Sequence, residues 1–85
     1  MKEIKKFERL KLGKHYKVEN REDEKDRFIC QVVKKNTTDS IKGFIVKILK
    51  GSNLEEGNNI KVSFIEFRKY KWFELTEDEA VIEML

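Results

Sequence analysis

The sequence predicts a mainly β fold (β-barrel/α+β): a small five-stranded antiparallel barrel or strongly bent meander, with a short helix or lead-in before it and a short helix after it. Three observations carry that reading. Segments rich in β-branched and aromatic residues recur along the chain, residues that favour turns separate them, and the connections are too short to hold crossover helices. At 85 residues and 10.2 kDa the chain reads as one domain over 1–85. A chain of this size buries about two-thirds of its surface and has little core to give up for a deep cofactor cavity, so a surface face, groove or loop is expected to carry any function.

The elements follow in order. Ile4, Phe7 and Leu10 recur every three residues with charges between them, as in a short amphipathic helix or an extended lead-in that ends at Gly13. Alternation returns around Tyr16 and Val18, which places a first strand near 14–19. The run Arg21-Glu22-Asp23-Glu24-Lys25-Asp26-Arg27 is charged throughout and reads as a solvated loop. Strands are then expected near 28–35, 43–50, 59–67 and 70–75, with hairpin turns over residues 36–40 and 51–59. Thr76-Glu77-Asp78-Glu79 has the form of a capping box and opens a helix near 77–85, with Ala80, Val81, Met84 and Leu85 on one face.

The opening Leu10 to Val18 and the closing Trp72-Phe73-Glu74-Leu75 resemble the first and last strands of a Src-homology-like small barrel. That resemblance covers the whole chain and is one of pattern alone. Alternation assigns Phe44, Val46, Ile48, Ile60, Val62 and Phe64 to the core and puts Phe73 and Leu75 inward, leaving Trp72 partly exposed. A second apolar face then remains at Ile29, Val33, Ile45, Leu49, Ile65 and Phe67. The terminal helices are expected to cover it through Ile4, Phe7, Leu10, Val81 and Leu85; uncovered, it would serve a partner or self-association.

Much chemistry is set aside by count. His15 and Cys30 are the only soft metal ligands, and zinc sites take three or four. A lone cysteine inside a strand reads as a small buried hydrophobe, and a lone histidine near a glycine turn as a simple hydrogen bonder. The four glycines are scattered, so no phosphate loop forms, and no serine sits in a nucleophile elbow. The expectation is a non-enzymatic chain with no metal and no cofactor. A single cysteine, an opening without the apolar run of a signal peptide and the lack of any membrane-length stretch point to the cytoplasm. With 15 lysines to four arginines, eight isoleucines and no proline, the composition suits an AT-rich bacterial genome.

What remains is basic and aromatic. The first 75 residues carry a net charge of +7 and the last ten −4. Arg68, Lys69, Tyr70, Lys71 and Trp72 interleave cations with aromatics, the mixture used for phosphate contact and base stacking, and Lys34, Lys35, Lys47 and Lys50 extend the positive surface if their strands adjoin. Nucleic-acid binding is therefore the leading expectation. The alternative is a protein-interaction module or inhibitor encoded by a phage or mobile element. It would engage a host protein, such as one that itself binds nucleic acid, through the acidic loop Glu22, Asp23, Glu24 and Asp26 and the apolar Ile65 and Phe67.

Overall fold

The computed structural model describes residues 1–36, 43–51 and 55–85, and the turns expected over 36–40 and 51–59 lie partly outside those residues. One antiparallel sheet contains β1 (Lys2–Ile4), β2 (His15–Asn20), β3 (Arg27–Asn36), β4 (Gly43–Gly51), β5 (Asn59–Ser63) and β6 (Tyr70–Leu75), in the spatial order β1-β6-β2-β3-β4-β5. A 3₁₀ turn at Phe7–Arg9, the helix α1 (Phe64–Lys69) and the helix α2 (Glu77–Met84) complete it. Strands β2 to β5 form the expected meander, and β6 returns beside β2, with Val18 opposite Trp72. The sheet stays open: β1 and β5 are its two edges and do not pair with each other. The lead-in supplies the sixth strand, β1, in place of a continuous helix.

Local chemistry explains the turns. The charged run after β2 closes on itself: the Asn20 Nδ2 donates to Asp26 Oδ2 at 3.0 Å, and the Lys25 N–H donates to Asp23 Oδ1 at 3.0 Å. Gly57 has φ +86° in the turn before β5, a conformation that a side chain would strain. Register shifts at Ile29/Cys30 and Val32/Lys34 mark irregularities in the β3–β4 ladder, the feature that increases local bend and twist.

The main core lies on one side of the sheet, its inner side. Tyr16 and Val18 of β2, Phe28, Cys30 and Val32 of β3, Phe44, Val46 and Ile48 of β4, Val62 of β5 and Trp72 of β6 converge there, joined by Phe7, Leu10 and Phe67. Ile4, Phe7 and Leu10 thus close the main core and leave the second face to others. Trp72, expected at the surface, is 1% exposed. The alternation gives the correct parity but the inverted direction, because β6 takes its inward side from Tyr16 and Val18 on the neighbouring strand. Phe73 is accordingly half-buried on the outer face, and Leu75 is buried there beside Ile29 and Ala80.

The strand expected over 59–67 ends at Ser63. Ser63-Phe64-Ile65-Glu66 is a second capping box, in which the Glu66 carboxylate accepts the Ser63 N–H at 3.1 Å, and it turns the chain into α1. The change of period from two to that of a helix exchanges the two phenylalanines: Phe67 is 5% exposed in the core, and Phe64, assigned to the core by alternation, is 52% exposed. Thr76 caps α2 as expected, its Oγ accepting the Glu79 N–H at 3.1 Å while the Glu79 carboxylate accepts the Thr76 N–H at 3.0 Å. Of the apolar face expected on α2, only Ala80 is buried; Val81, Met84 and Leu85 are exposed.

Candidate nucleic-acid interface

Strands β3, β4 and β5 contain Arg27, Lys34, Lys35, Lys47, Lys50 and Lys61 and not one carboxylate. Pairing partners place most of these on the outer side, opposite the main core. Gln31, Lys47 and Asn59 form one cross-strand row, and Lys34, Ile45 and Lys61 form another. Arg27 and Lys50 share that side, since Lys50 pairs with Ile29 two residues along from Arg27. Lys35 is the exception: it pairs with Phe44, and its ammonium stands 5.9 Å from the centre of that ring. Lys34, Lys47 and Lys61 are exposed, and among the described residues none of them is in an ion pair.

The basic-aromatic segment lies elsewhere. Strand β2 separates β6 from β3, so the run from Arg68 to Trp72 does not adjoin Lys34, Lys35, Lys47 and Lys50 as one continuous strip. Arg68 and Lys69 end α1, where their carbonyls accept from Arg21: its Nε to Arg68 at 3.0 Å and its N–H to Lys69 at 3.1 Å. Tyr70 is half-buried, its ring edge-on to Phe28 at 5.8 Å. Lys71 is exposed and opposes Glu19 across the strand pair, which places a carboxylate beside its charge. Trp72 stacks on Phe67 in the core, and neither ring is available to a base.

The residues of the alternative surface are also dispersed. Glu22, Asp23 and Glu24 are exposed on the β2–β3 loop, whereas Asp26 is half-buried and committed to Asn20. Ile65 is 69% exposed on α1, next to Phe64, and Phe67 belongs to the core.

An open groove of about 710 Å³ runs beside the lysine face, between Lys17, Arg27 and Lys50 on the sheet and Glu83 on α2. Lys17 is paired at its mouth, with Glu83 at 3.4 Å and Glu19 at 3.9 Å. The remaining titratable groups with altered behaviour are structural. Burial pushes the Cys30 thiol up, which keeps it protonated and inert. Burial, followed in the same direction by Glu74, pushes the Tyr16 hydroxyl up to about 12 against the Lys11 N–H that donates to it. Among the described residues no three His, Cys, Asp or Glu side chains converge as metal ligands.

Lys61 is legible in the sequence but hidden by averaging. Charge summed over whole segments mixes the carboxylates of Glu55, Glu56, Glu66 and Glu74 with the strands, and only the strand boundaries reveal that the acids fall outside β3–β5. No helix among the described residues is long and apolar enough to cross a membrane. No family model, no curated protein and no solved structure matches this chain.

Proposed function

We propose that this chain is a non-enzymatic binding module that holds nucleic acid by its phosphates on the outer face of β3, β4 and β5. The observation that supports the reading is the acid-free set of lysines on that face, with Lys34, Lys47 and Lys61 exposed and unpaired among the described residues. A bent antiparallel surface that offers separated ammonium groups suits the regular spacing of a phosphate backbone. Base stacking has no part in this mode, because Trp72 is in the core. Binding is accordingly independent of sequence and steeply dependent on salt.

The test is fluorescence anisotropy with a labelled duplex and a labelled single strand, each of mixed sequence, across a salt series. The variant Lys34→Gln/Lys47→Gln/Lys61→Gln changes only exposed side chains and is expected to keep the fold. Its log K against log salt slope on duplex should be shallower by about 2 to 3, at ~0.9 for each phosphate left without its ammonium partner. Absence of binding by the unaltered protein to both probes at low salt removes the reading.

A protein-interaction module is the second reading, and one observation favours it. Phe64 and Ile65 lie side by side on α1 at 52% and 69% exposure, with the Arg68 guanidinium 5.7 Å from the centre of the Phe64 ring. A specific protein partner that protects these residues while oligonucleotides do not bind would put this reading first.

A further inference from the structure

The outer face is larger than its exposed part. Helix α2 lies across β6, β2 and β3 on that side, above Ile29 and Leu75, and it carries Glu77, Asp78, Glu79 and Glu83 with no cation of its own. Its last turn meets two lysines of the sheet. Glu83 stands 3.4 Å from the Lys17 ammonium, and the Leu85 carbonyl just past the helix accepts from Lys50 at 2.9 Å. Lys17, Arg27 and Lys50 line the groove at the end of α2 together with Glu83, and Glu24 and Glu56 line it as well; Lys50 follows Lys47 along β4.

Little apolar surface holds the helix there. Ala80 is its single buried residue, whereas Val81 and Ile82, the side chains that would anchor an ordinary amphipathic helix, are 57% and 66% exposed. The other tethers among the described residues include the pairs of Glu83 with Lys17 and of Glu79 with the Met1 amine, both partly exposed, and the exposed hydrogen bond from Lys50 to the Leu85 carbonyl. Exposed pairs of this kind contribute little and weaken further as salt rises.

We infer that α2 is an internal polyanion mimic: it occupies one end of the nucleic-acid-binding face, and phosphates displace it to reach Lys17, Arg27 and Lys50. The inference rests on the binding reading above and adds to it a competitor carried in the same chain. The Glu83 carboxylate at Lys17 and the Leu85 carbonyl oxygen at Lys50 stand where phosphate oxygens would stand, so the end of the helix and a bound polyanion exclude each other at those two ammonium groups. Nucleic acid held on Lys34, Lys47 and Lys61 alone is the first stage of contact, and release of α2 is the second.

The experiment uses the full chain with three single substitutions. Glu83→Gln removes the pairing with Lys17, Ala80→Asn puts a polar amide against Ile29 and Leu75, and Glu8→Gln removes one exposed acid on the 3₁₀ turn as a control for net charge. With the labelled duplex at low salt, Glu83→Gln and Ala80→Asn should bind about tenfold more tightly and steepen the salt slope by ~1 to 2, whereas Glu8→Gln leaves the slope unchanged. Amide exchange over 77–84 in the unaltered protein should speed up when the duplex is bound. Circular dichroism of Ala80→Asn verifies that its sheet is intact, and Glu83→Gln, a change at a partly exposed side chain, carries the test if it is not. Wild-type slopes in Glu83→Gln, or protected α2 amides in the complex, overturn the inference while leaving the binding reading in place. A protein that binds neither probe overturns both.

Discussion

Trp72 and Phe67 are joined twice: their rings stack at 5.6 Å with 23° between planes, and the indole N–H of Trp72 donates to the Phe67 carbonyl at 3.1 Å. The bond satisfies the single polar atom of a buried tryptophan, and it ties the last turn of α1 to the strand that follows. Tyr16 closes the other side of the indole, edge-on at 6.0 Å. Tryptophan emission of the native protein should therefore be blue-shifted and little quenched by acrylamide, with no change when an oligonucleotide binds. Red-shifted, readily quenched emission would show that this contact is not formed.

Phe67→Ala should be far more damaging than Phe64→Ala. Deleting a buried aromatic costs about 3–5 kcal/mol, and Phe67 also packs on Phe7 at 5.5 Å. Phe64 keeps half of its surface in water, with one edge contact to Phe7 at 6.0 Å, and its loss should cost about 1 kcal/mol. Urea denaturation of the two variants makes the comparison; a larger loss at Phe64 than at Phe67 would mean that residues 64–67 continue the strand.

Thr76→Ala removes the oxygen that accepts the Glu79 N–H and should destabilise the protein by ~1 kcal/mol, with the sheet retained. Thermal melts followed at a sheet wavelength and a helix wavelength separate a local loss at α2 from a global one.

The Glu79 carboxyl lies below its ordinary value of 4.5, first because the Met1 amine bonds to it and then because the Thr76 N–H does. A carboxylate whose folded pKa is depressed stabilises the folded state above the unfolded value, and that contribution disappears as pH falls through the folded value. The attachment of α2 should accordingly weaken as the solution is taken below pH 4.5. NMR titration of the Glu79 side chain should give a midpoint below 4.5, and Glu79→Gln should flatten the acid dependence of α2 exchange.

The two capping boxes show what could be read in the sequence and what could not. Thr76 to Glu79 follows the apolar strand and precedes a run without alternation, so local chemistry alone announces a helix. Ser63 to Glu66 has the same form, but Phe64, Ile65 and Phe67 make it resemble the end of a strand. Its short helix is decided by the need of Phe67 to reach Phe7 and Trp72, contacts remote in sequence or dependent on the turn itself. Likewise the parity of β6 is written in its alternation, whereas the choice of inward side belongs to Tyr16 and Val18 across the ladder. The lysine face needed both kinds of information: residue types from the sequence, and strand ends that place every acid outside β3–β5.

The Glu66 carboxylate on the Ser63 amide has a consequence for neighbouring molecules. Strand β5 is an outer margin of the sheet, and such a margin is a template on which a further chain can polymerise. Here the last amide of the strand is already occupied by Glu66, and α1 turns the backbone away immediately after it. Lys61 stands at the midpoint of the five residues of β5, so two copies aligned antiparallel along it would bring like charges face to face. The same carboxylate that starts a helix inside one molecule thus takes one amide away from the margin at which a further chain would pair, a way of blunting an edge that does not require the sheet to close into a cylinder.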